Sequence, residues 1–241
     1  MPTTSTIRIF PLGDAAAVVD FGGGISPATL HRIRALRQYL AAHPLPGLRE
    51  LVPAYTTLTV YYDPWQVSQA GPQLPYEQVA AWLQAQLPAA EATREVAAPP
   101  ETVELPVCYG GEWGPDLEAV AQHTGLTPAE VVARHAAPAY LVHLLGFLPG
   151  FAYLGGLDAA LATPRQAVPR ALVPAGAVGI AGGQTGVYPL ASPGGWQLIG
   201  RTPLQLFNPT WPTPTRLQAG QQVRFVPISE REFHQLQRHE P

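Results

Sequence analysis

Between residues 26 and 43 the apolar side chains recur at Leu30, Ile33, Leu36 and Leu40, while Arg32, Arg34 and Arg37 fall largely off that stripe. This is the period of a helix with one buried face. Ser26-Pro27 predicts its start, because the serine hydroxyl can accept a free amide and proline suits the first helical position. Ile25 and Leu30 have the spacing of a hydrophobic staple, and His43-Pro44 predicts the end. Upstream, residues 7–10 and 17–21 read as short strands around the turn Pro11-Leu12-Gly13-Asp14. Downstream, Leu58, Val60 and Tyr62 alternate with Thr57, Thr59 and Tyr61, the pattern of a half-buried strand. Val79, Trp82, Leu83 and Leu87 form a second helical stripe. Strands and helices packed in two layers account for this half of the chain.

Residues 88–100 mix Ala, Glu, Thr and prolines with Val96 as the one large apolar side chain, a composition that predicts a boundary. The expected organisation is an N-terminal α+β domain over residues 1–90, a linker over 91–101 and a second domain over 102–241. The second domain opens on a strand at 103–109. Two short helices follow, and Thr127-Pro128-Ala129-Glu130 has the form of a capping box. From about residue 138 short apolar runs alternate with Gly and Pro, which predicts a closed or rolled β-structure.

Composition narrows the function classes. Of 241 residues 46% are apolar and 13% charged, with a net charge of −3, so a well-buried core is expected. No basic stripe suggests nucleic acid or an anionic membrane as partner. All 14 basic residues are arginine, which excludes a Schiff-base lysine or a P-loop lysine on this chain. The glycine run at 179–186 is no nucleotide motif, and no strand–GxGxxG–helix unit occurs. Cys108 is the only cysteine, so no intrachain disulfide can form. The histidines lack metal-ligand spacing, and no metal is expected. With no leader-like start and no long apolar run, a cytoplasmic location is the expectation.

Candidate chemistry concentrates in residues 143–207. Frequent glycines allow close backbone approach to a small ligand, or serve simply as turns of a barrel. Arg165, Arg170 and Arg201 could each hold a carboxylate or phosphate through the guanidinium fork. His143, in an apolar run, is more readily a structural histidine than a general base, Cys108 reads as buried and inert, and Ser192 lacks a nucleophile elbow.

The same residues resemble one family. Gly146-Phe147-Leu148-Pro149-Gly150-Phe151 with Tyr153-Leu154-Gly155-Gly156-Leu157-Asp158 is similar to its GFxPGFxYLGGLD signature. Pro164-Arg165, Pro169-Arg170, Val173-Pro174-Ala175-Gly176, Gln184-Thr185-Gly186-Val187-Tyr188-Pro189, Ser192-Pro193-Gly194-Gly195-Trp196 and Gly200-Arg201-Thr202-Pro203 follow in the family's order. Pro11-Leu12-Gly13-Asp14, Val52-Pro53-Ala54-Tyr55 and Gly114-Pro115-Asp116-Leu117 extend the resemblance over nearly the whole chain. The family is that of the 5-oxoprolinase B subunits, with KipI and the first subunit of allophanate hydrolase. Ala177 and Gln221 stand where that family often carries Ser and Asp.

The resemblance implies a cyclophilin-like β-barrel as the second domain. It also implies partners, a KipA-like C subunit and an A subunit, with which the complex opens 5-oxo-L-proline, a small acidic amide, at the expense of ATP. On this footing Arg201 and Gln184 are the expected catalytic residues. Arg165, Arg170, Thr185 and Tyr188 are expected to bind substrate, with the ATP site not located. Other members of the scaffold leave alternatives open: a KipI-like inhibitor of a sensor histidine kinase, or a urea or allophanate pathway carboxyltransferase-like subunit.

Overall fold

In the computed structural model, which describes residues 6–69, 73–92 and 101–238, Ser26 starts the first helix as its sequence context predicts. Its hydroxyl accepts the Thr29 amide at 3.1 Å, satisfying a donor that a helix start leaves free. Ile25 nevertheless stays exposed, so the staple suggested by spacing is not closed. The entry is fixed by polar contacts instead, with Thr29 Oγ1 donating to the Gly24 carbonyl at 3.1 Å.

The chain divides into two units, Met1–Pro99 and Pro100–Pro241. The first contains β1 (Arg8–Pro11), β2 (Ala16–Asp20), α1 (Pro27–Ala42), β3 (Leu48–Pro53), β4 (Thr57–Tyr62), α2 (Pro64–Ser68) and α3 (Pro75–Ala92). The strands form an antiparallel sheet in the order β1-β2-β4-β3. Register sets Ala17 opposite Val60 and Val19 opposite Leu58, so these apolar side chains share the face that meets the helices. Leu30, Ile33, Leu36 and Leu40 of α1 are fully buried there, each contributing roughly 2 kcal/mol of gross burial. α3 runs on through Pro88, where composition had suggested a linker. Ala90 is buried in the same core and Arg32 holds Glu91 at 2.7 Å, contacts that outweigh the amide bond Pro88 cannot make. Most of the expected linker, residues 93–100, lies outside the described residues.

The second unit contains β5 (Thr102–Tyr109), α4 (Leu117–Thr124), α5 (Pro128–Ala136), β6 (Ala139–Leu145), β7 (Ala152–Gly155), β8 (Arg170–Val173), β9 (Ala177–Ala181), β10 (Gln184–Val187), β11 (Ser192–Gly194), β12 (Gln197–Arg201), β13 (Gln222–Pro227) and α6 (Glu230–Gln237). Seven strands close a barrel in the order β10-β7-β6-β13-β5-β12-β9, which leaves it no open edge. β5 and β13 run parallel and the other neighbours antiparallel. The expected capping box opens α5, with Thr127 N to Glu130 Oε2 at 2.8 Å and Glu130 N to Thr127 Oγ1 at 3.3 Å. Architecture therefore agrees with the expectation of an α+β unit followed by a closed barrel.

β9, β10 and β12 are buried on both faces. Val178, Ile180, Val187 and Ile199 fill the barrel. On the outer face Ala177, Ala181 and Leu198 pack with Phe151, Val173, Tyr188 and Trp196, beside the separate two-stranded sheet of β8 and β11. This layering explains part of the glycine richness. A Cβ at Gly186 would lie 3.1 Å from Phe151 Cζ and 3.2 Å from Trp196 Cζ3, and one at Gly179 would lie 3.0 Å from Trp196 Cβ. These glycines seat aromatic rings against strand backbone. Ala177 belongs to this dry cluster, and the side chain of Gln221 caps its own turn by accepting the Gln218 amide at 2.8 Å.

Candidate functional site

Strand directions separate the candidate residues. Gln184 begins β10 opposite Ala181, whereas Arg201 ends β12 opposite Ala177. The stretch of β9 from Ala177 to Ala181 lies between those levels, on the order of 13 Å. Gln184 and Arg201 therefore stand at opposite ends of the barrel.

At the Arg201 end, sequence motifs that are distant in the chain interlock. Thr202 N donates to the Gly176 carbonyl at 2.9 Å, and Gly176 N to the Tyr188 carbonyl at 2.7 Å. Gly176 sits at φ +82°, and a side chain there would strike the Thr202 carbonyl, so only glycine fits. Arg201 Nε donates to the Ala175 carbonyl at 2.8 Å, and the guanidinium carbon lies 5.8 Å from the centroid of the Trp113 ring. Trp113 in turn stacks at 4.0 Å on Phe233 of α6, a fully buried side chain. Among the described residues the Nη groups of Arg201 make no hydrogen bond. Burial lowers the pKa of this guanidinium, with the Glu112 carboxylate pulling the other way. It remains a cation at neutral pH.

Arg170 is committed differently. Its Nη2 donates to Asp116 Oδ1 at 2.6 Å, and the other carboxylate oxygen accepts the Leu198 amide at 2.6 Å. Asp116 thereby ties the start of α4 to β12 and β8. Arg170 Nη1 is buried without a partner. Tyr188 is enclosed in the aromatic cluster between β8–β11 and the barrel. Burial raises the pKa of its phenol, opposed by a hydrogen bond with the Trp196 backbone and by the charges of Arg165 and Arg170. Arg165 itself is exposed, on a loop laced to β12 by Gln166 Nε2 to Gln197 Oε1 at 2.7 Å and Gln197 Nε2 to the Pro164 carbonyl at 2.9 Å.

Thr185 points into the barrel and is fully buried. Its hydroxyl donates to the Gly179 carbonyl at 3.0 Å, and His135 Nε2 lies 2.8 Å away. One hydroxyl proton serves one acceptor, so Nε2 must carry a proton and donate to Thr185. The other ring nitrogen, Nδ1, then accepts from the Tyr109 hydroxyl at 2.8 Å. Tyr140 completes the network by donating to the His135 carbonyl at 2.7 Å. Burial drops the His135 pKa to about 3 and raises those of Tyr109 and Tyr140. All three side chains are therefore neutral across the physiological range. The chain Tyr109–His135–Thr185–Gly179 is a satisfied polar thread through an apolar barrel, with none of its hydroxyl protons left for a ligand.

His143, set aside at the sequence level, is buried on β6 with its ring against Gly155. Sequence reasoning missed Trp113 and Phe233, and weighed His135 only as a metal ligand. The legible signal for Phe233 was Ser229-Glu230-Arg231-Glu232-Phe233, a capping box followed by an apolar residue, which starts α6 with both reciprocal bonds in place. No three His, Cys, Asp or Glu side chains among the described residues are grouped to hold a metal ion. No helix among them is long and apolar enough to cross a membrane.

Residues 7–217 match the family described as carboxyltransferase domain, subdomain C and D. The chain is 47% identical over 234 residues to the 5-oxoprolinase B subunit of Bacillus subtilis (strain 168), covering 96% of this chain and 97% of that relative. The crystal structure of TTHA0988 superposes with a TM-score of 0.74 at 38% identity, covering 93% of this chain but 40% of the other. The chain thus spans about two fifths of that protein. Kluyveromyces lactis urea carboxylase gives a TM-score of 0.71 at 20% identity over 99% of this chain and 23% of its own, a likeness of fold alone.

Proposed function

Because this chain belongs to the family of 5-oxoprolinase B subunits, we propose that it acts as one component of a heteromeric, ATP-dependent 5-oxoprolinase. The complex opens 5-oxo-L-proline to L-glutamate, and this chain is inactive without its partners, a KipA-like C subunit and an A subunit. The observation that carries the reading is collinear similarity at 47% identity over 96% of the chain and 97% of the relative. A partner requirement is supported by TTHA0988, where the matching part is joined to a longer remainder.

Physical chemistry explains the coupling to ATP. A five-membered lactam is a stable amide, and transfer of the ATP γ-phosphoryl group to its oxygen activates the carbonyl carbon towards water; the C–N bond then breaks to leave an acyl phosphate, which a second water hydrolyses to glutamate and phosphate. This chain has neither lysine nor a P-loop, so the nucleotide site is either unconventional or on a partner. Its own contribution is to hold the small acid and stabilise charge. Of the expected site residues, Arg201 keeps a direct role. Arg170, Thr185 and Tyr188 serve as framework, with their polar groups drawn into the protein. Gln184 does not share the substrate with Arg201, because a molecule the size of 5-oxoproline does not span from one to the other. A lone cysteine and ATP-coupled chemistry support the cytoplasm as the compartment of the complex.

The test is ATP-dependent glutamate release from 5-oxoproline by this protein mixed with its C and A partners, each omitted in turn. Release that disappears when this chain is left out supports the proposal. Undiminished release without it refutes the assignment.

A further inference from the structure

The C-terminal helix α6 lies beyond residues 7–217, the span that matches the family, yet it reaches the Arg201 end of the barrel. The contacts form a line. Phe233 is buried under Trp113 with ring centroids 4.0 Å apart, and the Trp113 ring lies beside the Arg201 guanidinium at 5.8 Å. The line is held from both sides. The capping box of Ser229 and Glu232 fixes the start of α6, and the Ala175 carbonyl fixes Arg201 Nε. An arginine secured through Nε and one ring face keeps its Nη edge as the only direction in which it can bind. That edge is a planar donor pair matched to a carboxylate, and it meets no acceptor among the described residues.

We infer that Arg201 binds the carboxylate of the substrate and that Trp113, seated on Phe233 of α6, is the residue that positions it. The inference rests on the proposed 5-oxoprolinase activity and deepens it. Substrate choice is assigned to the acid group rather than to the lactam ring. The alternative acceptor on this chain is Glu112, whose carboxylate is exposed and forms no ion pair with Arg201. Arg170 is held by Asp116, so the same role is not open to it.

The experiment compares 5-oxoproline with its uncharged analogue 2-pyrrolidinone in the reconstituted complex, read as turnover or as competitive inhibition. Arg201→Ala is expected to raise KM for 5-oxoproline about 10- to 100-fold, the worth of one charge-assisted hydrogen-bond pair. Handling of 2-pyrrolidinone should stay within about two-fold, so preference for the acid collapses. Arg201→Lys, which keeps the charge but loses the fork, should recover part of that preference. Trp113→Ala should raise KM for the acid with kcat nearly unchanged and spare the uncharged lactam. A loss of stability alone would affect both compounds alike.

Unchanged discrimination in Arg201→Ala overturns the inference, and so does an equal loss for both lactams. Calorimetric titration of 5-oxoproline into wild-type and Arg201→Ala complexes separates the two levels of the argument. A wild-type complex that binds the acid but does not turn it over refutes the activity, while binding that survives in Arg201→Ala refutes the carboxylate site.

Discussion

Thr185→Val removes one hydroxyl from the barrel interior and nearly preserves shape, so its effect can be worked from the polar thread alone. The hydroxyl accepts from His135 Nε2 at 2.8 Å and donates to the Gly179 carbonyl at 3.0 Å. In the variant the His135 N–H has no acceptor where water does not reach, a deficit of about 1–3 kcal/mol. A switch of tautomer offers no escape, because Nδ1 would then become a donor and the Tyr109 proton would be orphaned instead. With the weakened Gly179 carbonyl the total is about 2–4 kcal/mol. For a chain of this size that lowers the midpoint of the barrel's thermal transition by about 4–16 °C. Calorimetry and urea titration of the intact chain measure it, with Thr185→Ser as control. Serine keeps the hydroxyl and loses one methyl, a change of about 1 kcal/mol. A Thr185→Val loss below about 0.5 kcal/mol would refute the tautomer assignment. If the variant stays stable but the complex loses turnover, Thr185 belongs to the substrate site rather than to the framework.

Acidification should destabilise the barrel before its carboxylates titrate. His135 has a folded pKa of about 3 against about 6.5 unfolded, so below 6.5 the unfolded state binds the extra proton. Stability is then complete above pH 6.5 and falls by about 1.4 kcal/mol per pH unit towards pH 3. Burial depresses His143 in the same direction, and urea titrations at pH 7 and pH 5 should differ by at least about 2 kcal/mol. An identical midpoint at both would show that His135 is not buried neutral. Asp116→Ala strands the Leu198 amide and the Arg170 guanidinium. The cost should be about 2–3 kcal/mol in urea titration, less than a fully buried pair because the Arg170 side chain is 31% exposed. Gly186→Ala forces a methyl against Phe151 and Trp196 and should cost about 1–3 kcal/mol, with a shifted tryptophan emission. Wild-type stability in that variant would mean the aromatic cluster is loosely packed.

Much of the fold was legible because it follows from local periodicity and caps. The stripe Leu30, Ile33, Leu36 and Leu40 and the alternation Leu58, Val60 and Tyr62 each reappear as fully or almost fully buried faces. The Thr127–Glu130 box closes as written. α3 ran past Pro88 because Ala90 and Glu91 find partners on the core and on α1, contacts that no window around the proline contains. α6 was overlooked although Ser229 and Glu232 announce it, since Phe233 and Leu236 are the only large apolar side chains in so short a helix.

The candidate residues could be named from the sequence, but their places could not. The amino-acid order alone determined the two-part organisation, the barrel class, the family and the exclusion of lysine chemistry, because composition and motif order are properties of the chain. Tertiary structure alone decided which polar groups remain available. Barrel closure turned Thr185 inward to His135, Asp116 claimed Arg170, and strand direction parted Gln184 from Arg201. A side chain's chemistry depends on which partners it has already met. Those partners come from distant parts of the sequence, as Trp113 and Arg201 do, and only the closed barrel brings them together.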